Sequence, residues 1–411
     1  MMKSERRSAM AAKPVTGVIV NAIRLKGKKD AKSLRSKHTV LSAILSAVLC
    51  LSLCVSCAPG AGKKLTTGAL TLEHETRYGG IYAHITIADF NKLGFAFGDS
   101  VDVVFDNGEK LEDLPYYDGY YTKVGEPLLC GYPGYPYVDI SVNNGADLYE
   151  ELGLSETSTV TITLRERGKY LAVEEALGAV HSDNRGDFHD DGVFGNFRPL
   201  AVGRLKEGLI FRGASPCYNV FNRAETVSAL SELKEIRTFI DLADSEEEAA
   251  AYFAAESPAI PYWKTAYSEG RVFLFAMGAN YRSPEYHEKV AGTMRAILEN
   301  DGPFLIHCNE GKDRTGFVCF LVGAFAGASV DELERDYMET YENFYNITKK
   351  GTPGRYDAIV EVKFDDFLVA LAGTSDREAI SDELLKGAVQ YLKEGGMTDA
   401  EIETLREKIL K

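Results

Sequence analysis

The chain has 411 residues, 45% of them hydrophobic and 26% charged, with a formal net charge of −15 at pH 7; that length suits two or three domains. The charge is uneven, because residues 1–38 hold eleven Lys and Arg against Glu5 and Asp30, so that +9 lies there and −24 falls to residues 39–411. So acidic a body excludes nucleic acid as a general partner and disfavours anionic headgroups, although a local basic pocket still attracts phosphate.

Residues 39–57, "TVLSAILSAVLCLSLCVSC", carry no charge, and a basic stretch before an apolar run is the pattern of an export signal. Cys57 follows small Ser56 and precedes the flexible "APGAGKK", whereas Cys50 and Cys54 both follow leucine. Cleavage before Cys57 is expected. The stretch resembles the lipobox of bacterial lipoproteins, which implies that Cys57 is lipidated and that the protein is exported and held at the outer face of the cell membrane by its lipid. A plain anchor over residues 39–57 is the alternative, short for the roughly 17 to 25 residues a span takes, and the long basic region leaves open a start at Met10 or later. Beyond Cys57 only Cys130, Cys217, Cys308 and Cys319 remain, too few and too scattered for a disulfide scaffold.

After a linker at 58–68, residues 69–168 contain an internal repeat. "LGFAFGDSVDVVF" (93–105) and "LGLSETSTVTITL" (152–164) align as a turn feeding a strand of period two. Each follows a short strand and a brief helix, in "AHITIADFNK" and "YVDISVNNGADLYEE". The twofold unit predicts a small pseudo-symmetric β-barrel, with a hairpin turn at Asn107-Gly108 and an irregular loop at "GYPGYPYV" (131–138). The second copy, with "GEPLL" (125–129), resembles the C-terminal domain of the S-adenosylmethionine hydroxide adenosyltransferases. Because that family's catalytic groups lie mainly on a preceding domain absent here, the resemblance implies a borrowed barrel without that activity. Asn143 and Asn144 fall where that family approaches its nucleoside, and a turn satisfying its own backbone is the simpler reading.

Residues 169–411 read as an α/β catalytic domain with a helical C-terminal third. "GLIFRG" (208–213), "RTFIDL" (237–242), "RVFLFAM" (271–277) and "PFLIHC" (303–308) are predicted strands. Ser283-Pro284 opens a helix whose apolar face is Tyr286, Val290, Met294, Ile297 and Leu298. Ser329 with Glu332, and Thr398 with Glu401, form capping-box pairs.

The chemistry concentrates in "HCNEGKDRTG" (307–316), between a strand and the apolar helix beginning "TGFVCFLVGAF". Such a loop turns backbone N–H groups inward at a helix N-terminus, where an anion binds, and a cysteine there is expected as a thiolate nucleophile. Arg314 stands where its planar guanidinium can grip two phosphoryl oxygens. A nucleotide-binding glycine loop is excluded, since it needs glycine at Ile306 and Ser or Thr at Asp313. The motif resembles the Cys-x5-Arg loop of the protein tyrosine phosphatases, above all the bacterial tyrosine and lipid phosphatases with Lys and Asp before the arginine. The likeness extends through "NFRPL" (196–200), "IFRGASP" (210–216), "FIDLAD" (239–244), "MGANYRS" (277–283) and "GGMTDAEIETLREKIL" (395–410). It implies a Cys-x5-Arg phosphatase fold in which Cys308 attacks, Arg314 clamps the phosphoryl group, His307 orients the cysteine and Thr315 eases departure of the thiolate. Asn309, Glu310, Gly311, Lys312 and Gly316 complete the substrate-binding loop, and no metal or cofactor is implied.

The leaving group needs a proton, yet no aspartate lies between Asp244 and Asp301. Asp313, inside the loop, is the favoured acid, with Glu310, Asp241 and Asp244 as alternatives. A second cluster, "HSDNRGDFHDDG" (181–192), partly fits a calcium loop from Asp187, but His189 occupies a ligand position and Arg198 stands where the final glutamate belongs; it reads as an acidic linker. The expected function is an exported phosphatase of phosphotyrosine, with phosphoserine or phosphoinositide as further substrates. Lys312 beside Arg314 points to an inositol-polyphosphate phosphatase as the enzymatic alternative, and a surface binding lipoprotein on an inactive phosphatase scaffold is the other. Neither the oligomeric state nor the barrel's ligand is written in the sequence.

Overall fold

The computed structural model describes residues 64–76, 79–380 and 383–411; the export segment and Cys57 lie outside them. Among the described residues no helix is long and apolar enough to cross a membrane.

The repeat folds as a barrel. Strands β1 (Thr66–Glu75), β2 (Gly80–Ala83), β3 (Ser100–Phe105), β4 (Lys110–Tyr117), β5 (Pro127–Cys130), β6 (Val138–Val142) and β7 (Thr159–Glu166) close in the order β1-β2-β6-β5-β4-β3-β7. The first strand begins at Thr66, inside the stretch expected as linker. The two copies of the repeat are β2, helix Ile87–Lys92, β3 and β6, helix Leu148–Glu151, β7. Equivalent strands pair antiparallel, β2 with β6 and β3 with β7, which gives the barrel its pseudo-twofold. Period two puts Val101, Val103 and Phe105 of β3 and Val160 and Ile162 of β7 into one core with Ile81, Phe90 and Ile140. Each short helix opens on a matching cap, Thr86 accepting from the Asp89 amide and Asp147 from the Glu150 amide. The β3–β4 turn uses Gly108 at φ +94°, and the Asn107 side chain accepts from the Glu109 amide at 3.0 Å.

The second part is a five-stranded sheet in the order β11-β10-β12-β9-β8, built from β8 (Arg198–Pro199), β9 (Ile210–Gly213), β10 (Thr238–Asp241), β11 (Val272–Leu274) and β12 (Phe304–His307). All neighbours run parallel except β8 with β9. Alternate residues feed opposite faces: Phe211, Phe239 and Leu305 pack with Trp263 on one side, Ile210, Ile240 and Ile306 with Phe317 and Val318 on the other. Register aligns Asp241, His307 and Gly213 at the C-terminal ends of β10, β12 and β9, the edge where parallel sheets carry their sites.

The helix after β12, Asp313–Phe325, is buried from Thr315 to Phe325, apolar all round as a central helix must be. Ser283 caps Pro284–Glu299, which buries Tyr286, Val290, Met294 and Ile297, with Leu298 partly covered. Both capping boxes form, opening Val330–Tyr345 and Asp399–Ile409. Between them run Pro353–Ile359, a π-helical turn Val360–Phe364, Asp365–Ala372 and Glu383–Glu394. The molecule is thus a mixed α/β protein with a closed barrel and a helical C-terminal part.

Barrel and sheet are joined through polar side chains. Buried Asp366 accepts from Arg282 and from the Tyr281 hydroxyl, and Arg282 also donates to the Val124 carbonyl of the barrel at 2.9 Å. Arg355 pairs with Glu175 at 3.0 Å, on the helix Leu171–Leu177 that follows β7.

Candidate active site

The loop 308–312 leaves the central strand β12 and enters the N-terminus of Asp313–Phe325. Its carbonyls are taken up from behind. The Ser215 amide donates to Asn309 O at 3.1 Å, Asn196 Nδ2 donates to Glu310 O and Gly311 O at 3.2 Å each, and Arg212 Nη2 donates to Gly311 O at 2.9 Å. The N–H groups of Asn309 to Arg314 donate to no group among the described residues. A ring of free amides at a helix N-terminus is the arrangement that receives an anion. Gly311 makes the turn possible: its φ is +69°, and a Cβ there would sit on the Gly213 carbonyl and 2.9 Å from the Ala214 nitrogen.

Cys308 begins this loop, 3% exposed, and Arg314 in the first helical turn donates to the Met277 carbonyl at 3.3 Å. Asp313 and Arg314 line a cavity of about 1220 Å³. The Asp313 carboxylate is 63% exposed, on the solvent side of the loop. Among the described residues, the hydroxyl of Thr315, buried in the same turn, and both ring nitrogens of buried His307 have no hydrogen-bond partner. Gly316 lies against the Tyr337 ring, where a Cβ would come within 2.8 Å.

The other candidate acids are engaged elsewhere. Glu310 accepts from His181 Nε2 at 2.8 Å and pairs with Lys312 at 2.9 Å; burial alone would raise its carboxyl, but these two partners hold it down at about 2. It keeps no proton to give at neutral pH. Asp241 is fully buried, with Oδ1 accepting from the Ala243 and Asp244 amides at 2.8 and 3.1 Å; it closes the turn after β10. Burial, then Asp241, pushes Asp244 up to about 7, and Asp244 accepts from the Cys217 thiol at 3.6 Å. Neither lines the cavity, whose wall takes Asp313 and Arg314 from this loop but not Cys308. His307, 3.9 Å from Asp241, is pushed down to about 4, chiefly by burial, so its imidazole is neutral at pH 7.

Lys312, expected to add a charge beside Arg314, turns instead to Glu310 and to the Tyr345 hydroxyl at 3.1 Å. Although burial opposes it, Asp313 and Glu310 hold its ammonium well above the ordinary value. It braces the loop, and it is not part of the cavity wall. Asn143 is likewise structural, donating to the Thr122 carbonyl at 2.7 Å, while Asn144 turns the chain at φ +48°.

The segment 181–192 does more than link. His181 Nδ1 lies 3.0 Å from Asp183 and 3.2 Å from Arg223 while its other nitrogen meets Glu310, so it is a pillar under the loop. Asp187 and Asp191 are taken up by neighbours within the segment, Asp187 by Ser182 and Asn184 and Asp191 by Arg185. Cys217, Asp241 and Asp244 bring possible metal-ligand atoms within 4.8 Å of one another. Burial, joined by both carboxylates, pushes the Cys217 thiol well up, which opposes the thiolate a metal would need.

Arg212, Arg198 and Asn196 are the residues that sequence reasoning passed over. Arg212 is fully buried, paired with Asp336 and bonded to Gly311. Arg198 binds Asp336 O and Thr340 Oγ1 at 2.7 and 3.1 Å, and burial, then the neighbouring Arg212, pushes its guanidinium down to about 10. The signal was present in "IFRG", where a cation interrupts an apolar strand and so requires a buried partner.

Comparison with known proteins agrees with this geometry. Residues 194–411 match the model of the tyrosine phosphatase family. The triple specificity protein phosphatase PtpB of Mycobacterium tuberculosis is 30% identical over 120 residues, covering 27% of this chain and 42% of PtpB. A protein named as a tyrosine-protein phosphatase in Cupriavidus necator is 40% identical over 55 residues, 13% of this chain and 20% of that protein. The chain thus spans less than half the length of these curated relatives. Among solved structures, the core catalytic domain of the PP-IP phosphatase SIW14 from S. cerevisiae is 20% identical with a TM-score of 0.26, over 43% of this chain and 91% of that one. The family match covers more than half of the sequence and contains the whole Cys308–Arg314 loop, so this chain belongs to the tyrosine phosphatase family.

Proposed function

We propose that the protein is a cysteine-dependent phosphatase that hydrolyses phosphotyrosine monoesters through a phosphocysteine intermediate. The observation that carries this reading is the loop 308–314: a cysteine at its start, an arginine in the first helical turn, and free amides between them with the Asn309, Glu310 and Gly311 carbonyls tied back. In the first step the Cys308 sulfur attacks phosphorus and the bond to the leaving oxygen breaks, while loop amides and Arg314 hold the equatorial oxygens. Asp313 gives its proton to the leaving oxygen. In the second step Asp313 takes a proton from water, which attacks phosphorus and releases phosphate and the Cys308 thiolate. Exposure on the cavity side favours Asp313 over Glu310, Asp241 and Asp244, because geometry precedes pKa in choosing a proton donor. On this reading the Thr315 hydroxyl, buried in the loop's first helical turn, stabilises the departing sulfur.

The Glu310 and Tyr345 contacts of Lys312 take up the charge expected beside Arg314, which favours phosphotyrosine over a multiply phosphorylated inositol as the first substrate to test. The test is turnover of a phosphotyrosyl peptide, a phosphoinositide and inositol hexakisphosphate by the wild type and by Cys308→Ser. Peptide turnover dominates and vanishes in the variant on this reading; equal, very low turnover of all three supports a binding scaffold. Export and lipid anchorage at Cys57 belong to the same proposal, supported by the basic and apolar pattern of residues 1–57. Cys57→Ala then releases the protein from the membrane fraction, and a variant that still carries lipid overturns that part.

A further inference from the structure

The cavity that reaches Asp313 and Arg314 is walled on its far side by the barrel, through Tyr120, Tyr132, Tyr135, Asn144 and Asp147 among others. At about 1220 Å³ it exceeds the roughly 300 to 1,000 Å³ of ordinary small-molecule sites and is far larger than one phosphorylated side chain. Among the described lining residues the catalytic side carries both signs, Arg314 and Lys363 with Asp313 and Asp366, whereas Asp147 is the one charged residue of the barrel wall. Burial alone would raise the Asp147 carboxyl, but the amides of Glu150 and Tyr149 and the side chain of His74 hold it below the ordinary value. It is therefore charged at neutral pH.

The same barrel wall carries an open aromatic cluster. Tyr132 is 46% exposed, its ring 5.3 Å from that of Tyr135 and 6.4 Å from that of Tyr120. The Tyr120 hydroxyl donates to Asp139 at 3.1 Å, which holds that ring, and Tyr120, Tyr132 and Tyr135 all line the cavity. Tyrosine rings and a carboxylate on one cavity wall can accept a guanidinium or ammonium by cation–π and ionic contact.

We propose that the barrel is the second half of the substrate site and holds the peptide flanking a phosphotyrosine, selecting a basic side chain near the phosphorylated residue. This rests on the phosphotyrosine reading of the loop, and it gives the barrel the role of setting specificity. Phosphate enters the amide ring and Arg314, the tyrosyl ring crosses the cavity, and an Arg or Lys of the same peptide reaches Asp147 and Tyr132.

The test uses the full chain carrying Cys308→Ser, so that binding is read without turnover, and two fluorescent phosphotyrosyl peptides that differ only in Arg or Glu at the flanking positions. The Arg peptide binds more tightly, by about 5- to 10-fold at low salt. Asp147→Asn, which keeps the helix cap because Asn caps as well as Asp, lowers that preference by about 2- to 5-fold, the range of an exposed ion pair. Tyr132→Ala weakens the Arg peptide by about 5- to 10-fold and the Glu peptide far less, as loss of a cation–π anchor does. Equal affinities for the two peptides, or tighter binding of the Glu peptide, overturn the proposal, as does binding indifferent to both substitutions. Turnover of a small aryl phosphate by the chain with Cys308 intact separates the two readings. Cys308-dependent turnover without peptide preference removes only the barrel's role; preference without turnover removes only the phosphatase reading.

Discussion

Gly311→Ala is the sharpest perturbation the active-site loop offers. Two costs arise at this position and they can be separated. The first is the left-handed φ of +69°, which a residue with a Cβ adopts at about 1 to 3 kcal/mol. The second is collision: the new methyl falls on the Gly213 carbonyl and within 2.9 Å of the Ala214 nitrogen, both backbone atoms at the end of β9 that cannot rotate away. The loop must withdraw by about 1 Å to restore ordinary van der Waals separation. It then loses the Arg212 and Asn196 bonds to Gly311 O, and a displacement of that size costs about 10²-fold in rate when reacting groups must be aligned. Gly396→Ala is the matched control, since Gly396 has φ +88° and open space around its Cβ position; it carries the strain without the collision. Steady-state kinetics with an aryl phosphate and urea denaturation, run on both variants, give the comparison. Gly311→Ala is expected to lower kcat about 10²-fold, whereas Gly396→Ala loses only stability. Equal activity in the two variants would refute the claim that Gly311 seats the loop on β9.

Other outcomes follow from the same geometry. Asp336→Asn leaves the fully buried Arg212 without its carboxylate, while Arg198 keeps Glu339 at 3.4 Å, so urea denaturation should show a loss of about 3 to 5 kcal/mol; a change within about 1 kcal/mol would mean the Arg212–Asp336 pair is dispensable. Asp313→Asn should slow phosphotyrosine turnover about 10²- to 10⁴-fold and slow an activated aryl phosphate far less, with Asp241→Asn costing mainly stability; equal losses on both leaving groups would reduce Asp313 to a shaping role. His307, pushed down to about 4, contributes stability that is present above its unfolded value near 6.5 and lost as pH falls toward 4. Asp244, pushed up to about 7, contributes stability that is present below its unfolded value near 3.8 and lost as pH rises toward 7, so the two slopes oppose each other. Asp244→Asn removes the second, and its stability should fall from pH 6.5 to 4.5 more steeply than the wild type's, by up to about 1.4 kcal/mol per pH unit; parallel curves would contradict this.

Local signals read well where one physical cause dominates. The barrel was legible in the repeated strand–turn–strand unit because period two and a fixed spacing leave little freedom, and the four parallel strands because each is a short apolar run between turns. The helix starts at Ser283, Ser329 and Thr398 were legible because a cap is a local hydrogen bond. The loop 307–316 stood out because its residue types serve one chemistry. What stayed hidden depends on distant partners. Nothing in the sequence near Lys312 says that Glu310, His181 and Tyr345 will surround it, since Tyr345 comes from a helix 33 residues on. Arg212 and Asp336 are 124 residues apart, and His181 reaches Glu310 across 129. The barrel wall of the cavity is equally non-local, set by the Asp366, Arg282 and Val124 junction that joins the two parts.

The central claim is that Cys308 itself carries the phosphoryl group, and trapping that intermediate tests it most directly. Phosphotyrosyl peptide mixed with the full chain, quenched rapidly in acid and mapped by mass spectrometry, should show one phosphoryl group on the peptide that contains Cys308 and none on Cys130, Cys217 or Cys319. Asp313→Asn should accumulate it when an activated aryl phosphate is the donor, because hydrolysis then lacks its base. Turnover that continues with no label on Cys308, or that survives Cys308→Ser, would contradict the account.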